Sequence, residues 1–292
     1  METPKIKLLA IVGPTASGKT SLSIKIAKQF SGEIIAADSR TIYKGLDIGT
    51  AKPTNQEQAG IIHHGLDLIG PDQDFTAADF KKYADIKIKD INKRDKLPIV
   101  VGGTGLYVDS VLYDFSFINQ DKKLKTQLDL LSNKELLHII KEKNLVNPEN
   151  IQNKLHLINT ILRNGKLPKK QSLPPTTIII GISPPKDVLK KRITDRATDM
   201  VNKGVIDEIK NAEKMYGWNS RAMTGGIYRA LKPSMIDGQS YDDAINSFIN
   251  SDIKLAKRQM TWLRGWSHPL IWLETGSQLN PDIILRDVGS CA

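Results

Sequence analysis

Along the N-terminal third of the chain, short apolar runs alternate with longer stretches whose apolar residues recur at helical spacing. Ile6–Val12 is compact and largely apolar, the pattern of a strand buried on both faces. It runs straight into Gly13-Pro14-Thr15-Ala16-Ser17-Gly18-Lys19-Thr20. Leu22, Ile24, Ile26, Ala27 and Phe30 then predict a helix that ends at Ser31-Gly32. Glu33–Ala37, apolar after its first residue, predicts a second buried strand that delivers Asp38-Ser39 at its carboxyl end. Thr76-Ala77-Ala78-Asp79 has the form of a capping box, and Phe80, Tyr83, Ala84, Ile88 and Ile91 continue it at helical spacing. Leu97–Val101 predicts a third strand, with Gly102-Gly103-Thr104-Gly105 as its turn. Strands alternating with helices imply parallel pairing, because each return crossover carries a helix over the sheet. The expected class is therefore α/β.

From Asp114 the pattern changes. Lys, Asn and Gln become dense and helical periodicity over Lys134–Lys143 and Leu155–Arg163 replaces strands, which predicts a small helical insertion over residues 114–173. The core then comprises residues 1–113 and 174–292. Thr176–Gly181 predicts a strand returning to the sheet, followed by long helices over Asp187–Tyr216 and Tyr241–Trp262.

Composition narrows the function classes. The longest apolar runs fall far short of the roughly 18 residues that cross a bilayer, so no membrane span is expected. Met1–Lys5 has no apolar signal core, and the single cysteine is Cys291. Neither a disulfide framework nor a cysteine-rich zinc module can be built within one chain, and a cytoplasmic location is expected. The formal charge of +10 favours a polyanionic partner, although a basic but ordinary enzyme has the same balance.

Gly13-x-x-x-x-Gly18-Lys19-Thr20 between a strand and a helix has the context that a phosphate-binding loop requires. Glycines let backbone N–H groups cradle a phosphate at the positive end of the helix dipole. Lys19 adds a mobile cation, and Thr20 can offer its hydroxyl to a magnesium ion. Many P-loop nucleotide hydrolases carry an aspartate after a later strand, but Leu97–Val101 ends in Gly102-Gly103-Thr104. The carboxylate stands instead at Asp38, as a general base or as a cap on the following turn.

Several longer segments resemble the tRNA dimethylallyltransferases, also called tRNA isopentenyltransferases. Gly13–Thr20 reads GPTASGKT, Ala37–Thr54 reads ADSRTIYKGLDIGTAKPT, Val101–Tyr107 reads VGGTGLY and Lys257–Trp266 reads KRQMTWLRGW; HHGLD and FTAADF stand at His63–Asp67 and Phe75–Phe80. The resemblance implies a P-loop-like core and transfer of a dimethylallyl group from its diphosphate to the exocyclic N6 amine of the adenosine 3′ to the anticodon. It implies that Gly13, Pro14, Thr15, Ala16, Ser17, Gly18, Lys19, Thr20 and Arg229 hold the diphosphate, with magnesium at Thr20. Asp38 would take a proton from the amine, with Lys19 and Thr104 also at the reacting atoms. Asp38, Ser39, Arg40, Thr41, Thr104, Lys257, Arg258, Gln259, Trp262 and Arg264 would contact tRNA. Partners are then the anticodon stem-loop and dimethylallyl diphosphate, and a monomer is expected.

Some positions stay open. Thr104 can also cap the next helix, and the basic side of the last helix can be a merely solvated face, its apolar side running through Ile249, Ile253, Ala256, Met260 and Leu263. His63 and His64 are adjacent and cannot form an i, i+4 metal pair; structural or tRNA-contacting roles are expected. Arg221 competes with Arg229 as the family's diphosphate arginine. His156-Leu157-Ile158-Asn159 replaces the family's Arg-Ala-Leu-Glu element, and the insertion, a clamp on the anticodon stem in the family, is short. The competing classes are a small-molecule or nucleotide kinase and a non-catalytic RNA-binding protein.

Overall fold

The computed structural model describes residues 6–115, 117, 121–166, 171–174, 176–266 and 270–274. Cys291 lies outside them. The chain divides into two compact units, a smaller one over Tyr113–Ser172 and a larger one formed by the chain on either side of it.

The larger unit is built on strands β1 (Leu8–Val12), β2 (Gly32–Ala37), β3 (His63–His64), β4 (Leu97–Gly102), β5 (Thr177–Ile182) and β6 (Ile271–Leu273). They form one sheet in the order β3-β2-β4-β1-β5-β6, every pairing parallel. β1 is central, with Leu9 opposite Ile99 on β4 and Ile178 on β5. Its five residues are all buried, as expected for a strand covered on both faces. The expected parallel α/β core is present, with β3 and β6 added. Both are too short to show periodicity, and only their backbone pairing with β2 and β5 makes them strands.

Helices α1 (Lys19–Gln29), α2 (Asn55–Gln58), α3 (Ala77–Lys93) and α4 (Gly105–Leu112) lie in the N-terminal half. Thr76 and Asp79 close the expected capping box on α3. The smaller unit holds α5 (Lys122–Asp129), α6 (Asn133–Glu142) and α7 (Lys154–Leu162) around its own core of Leu128, Leu136, Ile140, Leu157, Ile158 and Ile161. Beyond β5 come α8 (Lys186–Asn202), α9 (Val205–Tyr216), α10 (Gly226–Ile236) and α11 (Tyr241–Arg264).

Two expectations for this last region are corrected. The helix expected over Asp187–Tyr216 is two helices, because Gly204 takes φ 88°, a left-handed conformation that ends α8 and starts α9. The buried stripe of α11 runs through Ala244, Phe248, Asp252, Ala256 and Leu263, with Ile249, Ile253 and Met260 only partly covered. The stripe therefore contains a carboxylate that the apolar pattern passes over.

A buried charge anchors the amino end of β2. Glu33 is 1% exposed and accepts from Arg94 through both guanidinium nitrogens, from Lys96 Nζ at 2.8 Å and from His64 Nε2 at 2.8 Å. The Arg94 guanidinium, ahead of any other influence, holds the Glu33 carboxyl far below the usual carboxylate range. Its stabilisation is complete above the unfolded carboxyl value of about 4.3 and is lost as pH falls from there toward the folded value. Glu33→Gln should cost about 1–3 kcal/mol at neutral pH, the range for a charged hydrogen-bond group. Urea unfolding at a series of pH values should also show a shallower loss of stability below about pH 4 than in the wild type.

Candidate active site

The carboxyl ends of β1, β2 and β4 open into one cleft of about 710 Å³. β1 passes into the phosphate loop, which closes on itself: Ser17 N donates to the Pro14 carbonyl at 3.2 Å, and Ala16 and Gly18 take φ of 59° and 96°. Gly13 must be glycine, because a Cβ there would lie 2.8 Å from Ser17 Oγ and 2.9 Å from the Ile182 carbonyl oxygen. The loop can press against β5 only without a side chain.

Lys19 begins α1, and its Nζ donates to the carbonyls of Gly13 at 3.0 Å and Pro14 at 2.6 Å. Burial lowers its pKa to about 8, Asp38 opposing the shift and Arg196 adding to it. An ammonium that starts to lose its proton just above neutral pH regains its full charge when an anion arrives. Thr20 is exposed and lines the same cleft.

Two arginines of α8 brace the loop from outside. Arg192 Nη1 donates to the Ser17 carbonyl at 3.1 Å, and Arg196 Nη1 donates to Thr15 Oγ1 at 2.7 Å. Arg196 also pairs with the buried Asp252 of α11. Burial raises the Asp252 pKa, against the pull of Arg196, and Asp38 pushes it the same way. Neither partner was anticipated. Arg196 sits on a helix crowded with charges, where no pattern singles it out, and for Asp252 the one available signal was an acid spaced i+4 between Phe248 and Ala256.

Asp38 stands where β2 ends. Its Oδ1 accepts from the Arg40 backbone N–H at 2.7 Å, so the turn cap is real, and the side chain lines the cleft as well. Thr104 precedes α4, its carbonyl accepting from the Tyr107 and Val108 N–H groups, and its hydroxyl accepts from Ser39 N at 3.2 Å. This contact ties the end of β4 to the end of β2. Thr41 is 6% exposed and lines the cleft, with its Oγ1 lacking a hydrogen-bond partner.

The remaining expected residues separate. Ser39, Arg40, Arg229, Arg258, Gln259 and Trp262 all line the cleft. Gly13, Pro14, Ser17 and Gly18 shape the loop from behind, whereas Lys257 is exposed beside the cleft's lining and Arg264 lines a second depression with Trp266 and Trp272. Arg221 is turned away, its Nε pairing with Asp74 at 3.1 Å and its carbonyl accepting from Arg40. Of the two histidines, His63 lines the cleft and His64 serves Glu33.

One further residue was missed. Glu208 of α9 accepts from the backbone N–H groups of Asp47, Ile48 and Gly49 at 2.7–2.8 Å and from the Tyr228 hydroxyl at 2.7 Å. It pins the segment that forms the Gly49–Ala51 wall of the cleft. Nothing in the sequence pairs Glu208 with a loop some 160 positions away.

A parallel sheet with a phosphate loop on its central strand and a cleft across its carboxyl edge defines the P-loop class of α/β proteins. Within that class, models described as IPP transferase and isopentenyl transferase match residues 41–266 and 6–68. The chain is 36% identical over 302 residues to a tRNA dimethylallyltransferase of Macrococcus caseolyticus, covering 98% of this chain and 96% of that protein. It is 38% identical over 286 residues to one of Staphylococcus epidermidis, covering 90% and 85%. A crystal structure of tRNA delta(2)-isopentenylpyrophosphate transferase from Staphylococcus epidermidis superposes with a TM-score of 0.74 at 34% identity, covering 98% of this chain and 99% of that one. Its counterpart from Bacillus halodurans gives 0.73 at 31% identity, covering 98% and 95%. The chain belongs to the tRNA dimethylallyltransferase family, and the kinase alternative falls away with that assignment.

The lowered Lys19 pKa generates a test of the loop. Above about pH 8 the free protein must take up a proton at Lys19 to bind an anion, so inorganic diphosphate affinity should weaken with rising pH from there. Titration calorimetry with Lys19→Met, which lacks the ammonium, should show weaker binding throughout and no such step relative to the wild type.

Proposed function

We propose that this protein transfers the dimethylallyl group of dimethylallyl diphosphate to the exocyclic N6 amine of the adenosine 3′-adjacent to a tRNA anticodon. The observation that carries this reading is that Lys19 and Thr20 of the phosphate loop share a single cleft with Asp38 and Thr104. A leaving-group site and a proton acceptor are thus held at one sheet edge.

In the reaction, the bond from the dimethylallyl C1 to the diphosphate oxygen breaks with its electron pair going to diphosphate. The N6 lone pair forms the new C–N bond, and the N6 proton passes to the Asp38 carboxylate. Lys19, freed from the Gly13 and Pro14 carbonyls, meets the developing negative charge, together with the loop amides. Arg229, which lines the same cleft, meets the diphosphate as well. Thr104, already bonded to Ser39, orients the acceptor beside Asp38.

Magnesium fits this site through the Thr20 hydroxyl. Among the described residues no group of three or more His, Cys, Asp or Glu side chains could hold a metal. That suits an ion that keeps several waters and takes its other ligands from substrate phosphates. When bound, magnesium supplies charge neutralisation on the diphosphate.

An adenine stacked in an anticodon loop cannot reach the sheet edge, so the base must leave the stack. Arg40 and Arg258 on the cleft wall and Lys257 beside it meet the phosphates, and the short helical unit grips the anticodon stem. The reading takes the protein to act as a monomer. A tRNA substrate supports a cytoplasmic location, and no described helix is long and apolar enough to cross a membrane.

Labelled dimethylallyl diphosphate and unmodified tRNA, followed by nucleoside analysis, test the reading directly; unlabelled adenosine throughout would refute it. Asp38→Ala should leave tRNA affinity largely intact and lower the single-turnover rate by roughly a hundredfold or more, the scale of a general base. Replacing Lys257 and Arg258 together by Ala should weaken tRNA binding and flatten its salt dependence, by about 0.7–0.9 in logarithmic slope for each phosphate no longer neutralised. An unchanged slope would move the RNA-binding face elsewhere.

A further inference from the structure

Gln259 belongs to a basic helical segment expected to face RNA, yet both ends of its carboxamide are engaged inside the protein. Oε1 accepts from the Thr15 backbone N–H at 2.8 Å, and Nε2 donates to the Gly103 carbonyl at 2.9 Å. The orientation is set by its partners, because exchanging O and N would oppose two donors at Thr15 and two acceptors at Gly103. One side chain thus spans the phosphate loop and the turn that carries Thr104.

The bridge is tight. A Cβ on Gly103 would lie 2.6 Å from Gln259 Nε2 and 3.0 Å from the Gly13 carbonyl oxygen, so the Thr104 turn sits directly against the start of the phosphate loop. That Gly13 carbonyl also accepts from Lys19, and Thr15 is held on its other side by Arg196. Trp262, nearly one turn further along α11, donates from Nε1 to Asp109 of α4 at 3.1 Å and covers Gly105. Helix α11 therefore grips both loops through adjacent turns.

We propose that Gln259 is a positioning residue for transfer: it sets the separation between the loop that holds the leaving diphosphate and the Thr104–Ser39–Asp38 group that receives the amine. The inference rests on the reading given under Proposed function. Displacement that opposes diphosphate departure to amine attack tolerates little error, and a misplacement of about 1 Å can cost on the order of a hundredfold in rate. Gln259 therefore acts in the transition state, and contributes little to holding either substrate.

Two variants test it. Gln259→Met keeps the side-chain length and loses both hydrogen bonds. Gln259→Glu keeps the acceptor for Thr15, but when ionised it turns a negative oxygen on the Gly103 carbonyl; when protonated, it regains the donor. With both substrates saturating, Gln259→Met should lower the rate roughly 10- to 100-fold. Its dissociation constants for tRNA and inorganic diphosphate should stay within about threefold, the mark of an interaction realised only in the transition state. Gln259→Glu should recover toward the wild-type rate as pH falls from 8 to about 6, while the ratio of Gln259→Met to wild type stays level with pH.

Weakened tRNA binding with a normal saturating rate would make Gln259 an RNA contact and overturn the proposal. So would normal rates in both variants, or a Gln259→Glu rate that keeps a constant ratio to wild type across pH. Wild-type protein that fails to prenylate tRNA at all would refute the functional reading itself, a result distinguishable from any of these.

Discussion

The cleft depends on the contact between the phosphate loop and the structure behind it. An anion held by backbone N–H groups is bound well only if those groups point inward before it arrives, so the loop must be rigid without a ligand. Here rigidity comes from outside the loop, from the bare Gly13 against β5 and from Arg192 and Arg196 of α8, while Gln259 of α11 ties the loop to the Gly103 carbonyl. Lys19 meanwhile occupies the Gly13 and Pro14 carbonyls. The partners approach the loop from several elements, so the C-terminal helices are as much a part of the site as β1 and α1.

The electrostatics follow from the same packing. Lys19, Arg196, Arg40, Arg229 and Arg258 converge on the cleft with Asp38 and Asp252 as the opposing charges. Asp252 neutralises Arg196 and lets an otherwise costly guanidinium stay partly buried beside the loop. Asp38 keeps Lys19 from losing its proton more completely. The positive charge is thus concentrated along the cleft that Asp38 also lines.

Much of this was legible along the chain, and for a local reason. The phosphate loop, the capping box at Thr76–Asp79 and the apolar strand cores are specified by neighbours within a few residues. Asp38 and Thr104 could be placed at one sheet edge because parallel strands bring all their carboxyl ends together. The family resemblance extended that reading to Arg229 and to the Lys257–Trp266 segment.

What sequence alone determined, then, is the α/β class, the phosphate loop and which residues stand at strand ends, since each is encoded in short-range spacing. Only the tertiary structure decided which way the side chains of α8, α9 and α11 face. Arg196 became part of the cleft wall, Glu208 pinned the segment that carries Gly49–Ala51, Gln259 turned inward to join two loops, and Arg264 turned away from the site. A helix's periodicity defines a buried stripe, but the rotation of that stripe and the polar groups it meets depend on contacts from other elements. Asp252 shows this most plainly: a carboxylate can sit on the buried face of α11 because Arg196, on another helix, is there to receive it.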